Sequence, residues 1–199
     1  MNIHTIILAG GKGTRMLSQK AKVLQALGGR TMLNHVLTTA NKISNKISVV
    51  VGFDKEGVEE EIKKIGIHAN TYLQKEQIGT ADAVKTTLKD IDKNEKILIL
   101  YGDVPLIKEE TLKKLCNQES DLSILTTNLE NPTGYGRALK DKENNVLGII
   151  EEKDADSEQK KIKEIFTGIL VAKGSVLKKY IPEINNNNAT KEFYLTDLI

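Results

Sequence analysis

Three short, strongly apolar runs constrain the fold of this chain more than any other feature of its sequence. They are IHTIIL at Ile3–Leu8, ISVVV at Ile47–Val51 and KILILY at Lys96–Tyr101. Runs of this kind are typical of strands that are buried on both faces of a parallel sheet. Between them lie segments with apolar residues at helical spacing, at residues 31–43, 54–66 and 80–91, and a weaker strand at residues 68–73. This alternation predicts βαβ units in a three-layer α/β/α sandwich with a Rossmann-like, mostly parallel mixed sheet.

The pattern changes after a further helical segment at residues 109–118. Four strand-like segments follow with little helix between them, at residues 122–129, 136–140, 145–153 and 165–173. They predict a mixed or antiparallel extension of the sheet. The polar stretch at residues 184–188 is predicted to be a loop, and the last segment, FYLTDLI, is typical of the start of a helix. The 199 residues suffice for one large domain, residues 1–199, which we expect to be incomplete at its C-terminus.

Composition argues against several classes of protein. The formal net charge of +2 creates no strong field for nucleic acid or for an acidic membrane surface. The sequence has no apolar run long enough to cross a bilayer and no recognisable secretory leader, which favours a cytoplasmic location. Cys116 is the single cysteine, and its spacing from Leu112 and Leu115 predicts a place in the core rather than in a disulfide. The three histidines are too scattered for a zinc site.

A glycine-rich turn, AGGKGTR at residues 9–15, follows the first strand. Glycines let a backbone approach an anion closely, and consecutive N–H groups can then form a concave anion-binding surface. The turn matches neither the dinucleotide motif, because Met16 stands at the last glycine position, nor the P-loop. An ordinary glycine turn is one interpretation. A polyphosphate ligand is favoured because cations surround the turn, namely Lys12, Arg15, Lys20 and Lys22.

Two further segments carry polar groups that are suited to a nucleotide site. Asp103 directly follows the third strand, at the carboxyl edge where open α/β sheets bind ligands. Its carboxylate either caps a turn or, in the interpretation that we favour, binds the Mg²⁺ that offsets phosphate charge. In LQKEQIGTADAV, Gln74 has an amide that can pair with a base edge, and Gly79 and Thr80 open a helix.

Several motifs together resemble one enzyme family. LAGGKGTRM followed by KVL is similar to the signature of sugar-1-phosphate nucleotidyltransferases, and QIGTADAV, YGDVPLI, NPTGYGRA, IIEEKDA and EIFTGILVA follow in order. From Ile3 to Ile199 the chain resembles the uridylyltransferase domain of the bifunctional bacterial N-acetylglucosamine-1-phosphate uridylyltransferases/glucosamine-1-phosphate acetyltransferases. The resemblance implies an enzyme that converts UTP and N-acetylglucosamine 1-phosphate into UDP-N-acetylglucosamine and pyrophosphate, for peptidoglycan and lipopolysaccharide synthesis.

The resemblance also implies roles for individual residues. The nucleotide would be lined by Leu8, Ala9, Gly10 and Gly11, and its triphosphate by Lys12, Gly13, Thr14, Arg15 and Lys22. Uracil would be read by Gln74, Gly79 and Thr80, while Tyr101 and Gly102 would lead to Asp103, the Mg²⁺ ligand. The sugar would be held by Gly136 and Glu151, with Thr196 nearby. The catalytic group would be Arg15, Lys22 and Asp103, and Arg15→Ala is expected to lower turnover far more than stability.

The chain departs from the family pattern at three positions. Gly10 replaces an alanine, Ala21 replaces the proline before Lys22, which we expect to free the backbone there, and Phe166 replaces an asparagine that contacts the sugar. The family's β-helix acetyltransferase domain, through which full-length members trimerise, is absent from this sequence. A transferase for another sugar phosphate and a catalytically silent sugar-nucleotide-binding module therefore stay open as alternatives.

Overall fold

The computed structural model describes residues 2–13, 18 and 20–199. In chain order its strands and helices are β1 (Ile3–Leu8), β2 (Ala26–Leu27), β3 (Arg30–Thr31), α1 (Met32–Asn41), β4 (Lys46–Val51), α2 (Lys55–Ile65), β5 (Asn70–Leu73), α3 (Thr80–Lys85), β6 (Lys96–Tyr101), α4 (Glu109–Cys116), β7 (Leu122–Asn128), β8 (Arg137–Lys140), β9 (Val146–Ile150), β10 (Glu164–Lys173) and α5 (Gly174–Tyr180). Short 3₁₀ turns lie at Lys22–Leu24, Leu88–Asp90, Gln159–Lys161, Ile181–Glu183 and Leu195–Leu198.

One mixed sheet of eight strands organises the fold. Its order is β5-β4-β1-β6-β10-β8-β9, with β7 also paired to β10. Strands β5, β4, β1 and β6 are parallel, whereas β10 runs antiparallel to β6, β7 and β8. The register of β10 against β7 shifts between Phe166 and Leu170, where the bulge redirects the strand. The predicted mixed α/β sheet and its antiparallel extension are confirmed.

Helices cover both faces of the parallel half of the sheet. Along β1, Ile7 faces a cluster that includes residues of α1, α2 and α4, while Ile6 and Leu8 face a second cluster with α3 and α5. Because successive side chains of a strand point to opposite faces, a strand between two helix layers must be apolar throughout. All six residues of β1 are accordingly buried. Cys116 lies in the first cluster beside Leu112 and Leu115, as predicted from their spacing.

The local predictions were wrong in three places. The helix predicted over residues 80–91 ends at Lys85, and a 3₁₀ turn follows. Thr86 and Thr87 lie at this break, and their hydroxyls donate to the carbonyls of Ala83 and Val84 at 2.7 Å. Such back-bonding competes with regular helix geometry. Helix α5 and the small hairpin of β2 and β3 were not predicted.

Candidate active site

A cleft of about 310 Å³ opens at the carboxyl ends of β1 and β6. These strands are parallel neighbours with Leu8 opposite Tyr101, so the segments that follow them emerge side by side. The Gly102 N–H donates to the Leu8 carbonyl at 2.9 Å and joins the two segments. Eleven predicted site residues line this cleft, which are Leu8, Ala9, Gly10, Gly11, Gly13, Lys22, Gln74, Gly79, Thr80, Tyr101 and Asp103.

Opposite charges meet at the mouth of the cleft. Lys22 Nζ lies 2.7 Å from Asp103 Oδ2, and both side chains are partly exposed. Gly13 has a φ of +64°, and a Cβ at this position would lie 2.7 Å from Lys22 Cβ. A glycine is therefore needed for the loop to pass so close to the lysine stem. Asp103 lies next to the glycine loop, as its position after a parallel strand predicted.

The backbone before Lys22 is held by a hydrogen bond that proline could not make. The Ala21 N–H donates to Asp54 Oδ2 at 3.0 Å, and Ala21 is fully buried with a φ of −52°. Gly57 leaves room for this carboxylate, since a Cβ there would lie 2.5 Å from Asp54 Oδ1. The expectation that Ala21 frees the backbone ahead of Lys22 is therefore wrong, because tertiary contacts replace the constraint of the proline ring.

Gln74 lies at the inner wall of the cleft, where its side chain is 5% exposed. Its Nε2 donates to the Gly79 carbonyl and to Asp82 Oδ2, both at 2.9 Å. Its Oε1 lies beside Gly10, where an added Cβ would be 3.3 Å away. The amide therefore presents an acceptor next to the backbone of the glycine loop.

A second compartment of about 300 Å³ adjoins the first. The two share Thr80, Tyr101 and Glu192 as lining residues. The predicted sugar residues Gly136, Glu151 and Thr196 all line the second compartment. Since one wall serves both compartments, a ligand in each could meet the other at Tyr101.

Glu151 is one of two acidic residues that line the second compartment, and Glu192 is the other. Thr196 Oγ1 donates to Glu151 Oε1 at 2.9 Å. Burial raises the pKa of Glu151, the Thr196 hydrogen bond lowers it in part, and the nearby Asp154 raises it further. A carboxylate here can accept hydrogen bonds from the hydroxyls of a sugar.

Tyr101 separates the two compartments and stays protonated at neutral pH. Burial raises the pKa of Tyr101 to about 12. Gly168, at φ +86°, packs beneath the ring, where a Cβ would lie 2.7 Å from Tyr101 Cε2. The phenol can therefore donate a hydrogen bond to a ligand oxygen.

Phe166 contributes an apolar wall to the second compartment. It is 6% exposed, lines the compartment and belongs to the core cluster on the α3 face. Its N–H donates to the Gly136 carbonyl at 2.9 Å, which ties β10 to the loop that carries Gly136. The side chain offers no hydrogen bond to a sugar on this side of the compartment.

The loop before β8 is anchored by a buried arginine. Arg137 is 1% exposed, its NH2 lies 2.6 Å from Glu152 Oε2, and its NH1 donates to the Tyr135 carbonyl. Arg137 thereby joins the turn around Gly136 to the segment that carries Glu151, which holds the walls of the second compartment together.

A family model, the MobA-like NTP transferase domain, matches residues 5–160 of the chain, which include every lining residue of the first cleft except Glu192. The chain belongs to the MobA-like NTP transferase domain family. Residues 161–199 of the chain lie beyond this match; they include β10 and Thr196 and contribute to the second compartment.

Curated relatives match the chain over its whole length. The bifunctional protein GlmU of Ruthia magnifica is 46% identical over 200 residues, and that of Psychrobacter cryohalolentis is 44% identical over 202 residues. The chain spans 44% of the length of each of these relatives.

Solved structures of nucleotidyltransferases share the fold of this NTP transferase domain. A UDP-glucose pyrophosphorylase complexed with UDP-glucose superposes with a TM-score of 0.82 at 15% identity, covering 100% of this chain and 85% of that one. A glucose-1-phosphate thymidylyltransferase from Bacillus anthracis superposes with a TM-score of 0.77 at 20% identity, covering 98% and 80%. At these identities the likeness supports the fold alone.

At the mouth of the cleft, the described residues offer a divalent cation one carboxylate, that of Asp103, which pairs with Lys22 in this structure. Within residues 2–13, 18 and 20–199, no group of three or more His, Cys, Asp or Glu side chains is placed to hold a metal ion. Mg²⁺ in nucleotide sites is commonly bound by one or two carboxylates, with phosphate oxygens and waters completing its shell. Asp103 is such a carboxylate at the edge of the cleft.

Not every predicted residue lies in the two compartments. Thr14 and Arg15 lie outside the described residues. Lys12 has its Nζ 5.4 Å from the centroid of the Phe53 ring, and Gly102 packs against Val23, whose Cγ1 would be 2.9 Å from a Cβ there.

In the described part of the chain no helix is long and apolar enough to span a bilayer.

Sequence reasoning missed four residues that line the first cleft, which are Val23, Gln77, Ala83 and Glu192. Gln77 follows Gln74 by three positions and donates to its carbonyl at 3.1 Å, so its place could have been inferred from the same motif. Glu192 comes from the far end of the chain, and no local signal connects it to the glycine loop.

Proposed function

We propose that this chain, as one nucleotidyltransferase domain, transfers uridylyl from UTP to N-acetylglucosamine 1-phosphate. The products are pyrophosphate and UDP-N-acetylglucosamine, a precursor for peptidoglycan and lipopolysaccharide synthesis. The observation that carries the proposal is the pair of compartments joined at Tyr101 and Thr80, with Lys22 and Asp103 at the mouth of the first. The identity with two bifunctional GlmU proteins over the whole chain supports the same substrates.

The chemistry suits a site without a dedicated general base. A phosphate oxygen of the sugar phosphate forms a bond to the α-phosphorus of UTP, and the bond from that phosphorus to the pyrophosphate oxygen breaks. The attacking oxygen is already anionic, so no proton needs to be removed. The protein has to align two like-charged reactants and to offset the charge that develops between them.

Each group of residues has a role in this proposal. The backbone from Leu8 to Gly13 follows the nucleotide, and Lys22 offsets phosphate charge at the mouth of the cleft. Arg15 grips the leaving pyrophosphate as a fork of N–H donors. Asp103 would hold Mg²⁺, which supplies further positive charge at the phosphates when bound. Glu151 and Thr196 hold the hydroxyls of the sugar.

Pyrophosphate release tests the proposal. The chain is supplied with Mg²⁺, UTP and N-acetylglucosamine 1-phosphate, and pyrophosphate is measured against time. Asp103→Asn is expected to lower turnover by about 100-fold or more, as losses of aligned charge in active sites commonly do. Asp121→Asn is the matched control, because Asp121 pairs with Lys173 on the surface at 2.6 Å and lines neither compartment. Full activity of Asp103→Asn would contradict the assigned role.

Phe166 favours one alternative, a transferase for a sugar phosphate without the N-acetyl group or with another substituent. Its ring occupies a wall where a polar side chain would pair with a sugar substituent. The same assay with glucose 1-phosphate, glucosamine 1-phosphate and other nucleoside triphosphates separates the alternatives. Turnover with another pair alone would support the alternative, and binding of UDP-sugar without any turnover would support a silent binding module.

A further inference from the structure

The amide of Gln74 is held in one orientation by two acceptors. Its Nε2 donates to the Gly79 carbonyl and to Asp82 Oδ2, each at 2.9 Å. A carbonyl and a carboxylate accept hydrogen bonds and do not donate them. Rotation of the amide by half a turn would bring Oε1 against both oxygens and leave no hydrogen bond there. The acceptor Oε1 is therefore kept on the side of the glycine loop.

The two acceptors differ in how they are held. The Gly79 carbonyl belongs to the backbone of a position that requires glycine, because Gly79 has a φ of +138° and a Cβ there would lie 2.3 Å from the Phe193 carbonyl oxygen. The Gly79 carbonyl also accepts a hydrogen bond from the Ala83 N–H at 3.2 Å. Asp82 supplies the other acceptor from a side chain on α3, and it is not among the residues that line the first cleft. Among the described residues, Asp82 is therefore linked to the cleft by its hydrogen bond to Gln74.

A fixed acceptor at this place discriminates between pyrimidines. Uracil carries a proton on N3 and can donate to Gln74 Oε1. Cytosine has a bare lone pair on N3, which would face the same oxygen as a second acceptor. A buried site built to pair with one donor rejects a ligand that lacks it, since the site's own polar atom is left without a partner.

We infer that Asp82 is a specificity-determining positioning residue, which makes the cleft select uridine over cytidine nucleotides by fixing the Gln74 amide. The inference rests on the proposed uridine nucleotide site and adds to it a residue that does not touch the base. Without the carboxylate, the Gly79 carbonyl is the one acceptor of the pair that still opposes rotation, so a larger fraction of Gln74 side chains can turn the amide and offer N–H to cytosine N3. Selectivity would then fall although every lining residue of the cleft is retained.

Nucleotide binding tests the inference without requiring turnover. Dissociation constants of UTP and CTP are measured by calorimetry, with Mg²⁺ present, for the full chain and for Asp82→Asn and Asp82→Ala. The native chain is expected to bind UTP more tightly than CTP. Asp82→Asn is expected to lower the ratio of the CTP to the UTP dissociation constant by about tenfold, because the asparagine amide can also donate to the Oε1 of a rotated Gln74. Asp82→Ala gives a second variant that removes the acceptor without offering a donor. Asp121→Asn, on the surface, is the matched control and should keep the native ratio.

A third nucleotide separates amide rotation from a loosened pocket. UTP methylated at N3 has no donor at this position and gains nothing when the amide turns. We therefore expect Asp82→Asn to improve CTP binding relative to UTP and to leave the N3-methylated nucleotide as poor as before. Equal improvement of both would point to a loosened pocket and overturn the inference.

The outcomes distinguish this inference from the proposed function. Selective UTP binding that depends on Asp82, without any release of pyrophosphate, would remove the proposed reaction and leave the inference standing. An unchanged ratio in both Asp82 variants, or weaker binding of both nucleotides in parallel, would overturn the inference. No preference of the native chain for UTP over CTP, or no binding of either, would overturn it as well.

Discussion

Replacement of Lys22 by methionine separates a role in catalysis from a role in folding. Lys22 Nζ lies 2.7 Å from Asp103 Oδ2, but the two side chains are 39% and 27% exposed. Ion pairs exposed to this degree contribute about 0–1 kcal/mol to stability, since water screens them and their side chains lose conformational freedom. Methionine keeps the stem that packs over Gly13. The free energy of unfolding is therefore expected to fall by no more than about 1 kcal/mol.

The expected loss in activity is much larger. A cation that is held at the mouth of a cleft and aimed at developing phosphate charge commonly contributes about 10²–10³ in rate, equivalent to about 3–4 kcal/mol of barrier. Pyrophosphate release under Mg²⁺, UTP and N-acetylglucosamine 1-phosphate gives kcat/KM, and urea unfolding gives the stability of the same samples.

The control is an ion pair of similar length away from the cleft. Lys163 Nζ lies 2.6 Å from Glu130 Oε2, with both side chains more than half exposed. Lys163→Met should change stability as little as Lys22→Met does and should leave turnover unaltered. The reasoning would be refuted if Lys22→Met kept kcat/KM within about threefold of the native value, or if it lost more than about 2 kcal/mol of stability.

Three further substitutions address the second compartment and the core. Phe166→Asn should lower the free energy of unfolding by about 3 kcal/mol, because a buried ring is lost. In steady-state assays the same variant should lower KM for N-acetylglucosamine 1-phosphate and leave KM for UTP unchanged. Burial raises the pKa of Glu151, so the folded state binds the proton more tightly, and the free energy of unfolding should decline as pH rises from the ordinary 4.5 through the raised pKa. Glu151→Gln should abolish this decline in urea titrations and weaken the binding of the sugar phosphate about tenfold. His4 is buried, with its Nε2 2.7 Å from Ser48 Oγ, and burial lowers its pKa. The free energy of unfolding should therefore fall as pH drops below 6.5, the ordinary pKa of histidine in the unfolded chain, and His4→Gln should reduce this pH dependence in urea unfolding curves.

Local sequence pattern was sufficient for most of the sheet. The strand Ile3–Leu8 was predicted with its observed limits because it is apolar on both faces, which only a strand between two helix layers requires. Helix α5 was missed because it begins at Gly174, a poor helix former by local propensity. Gly174 is required there by a tertiary contact, since a Cβ would lie 2.0 Å from the Asp92 carbonyl oxygen.

The candidate site divides in the same way. The meeting of the glycine loop with Asp103 followed from sequence, because the carboxyl ends of neighbouring parallel strands lie at one edge. The bond from Ala21 to Asp54 could not be predicted, since the motif by itself indicates only that a proline is missing. Glu192 and Thr196 reach the site from the far end of the chain, where the Leu195 N–H donates to Thr80 Oγ1 at 2.9 Å across 115 positions.

The amino-acid sequence by itself determined the layered α/β fold and the chemistry at the strand ends, because hydrophobic periodicity and turn residues act over a few neighbouring positions. Tertiary structure alone decided which way the Gln74 amide faces, how the backbone before Lys22 is held and which hydroxyl donates to Glu151. Those features depend on contacts between segments that are distant along the chain, and the partner in each contact is chosen by packing rather than by local preference.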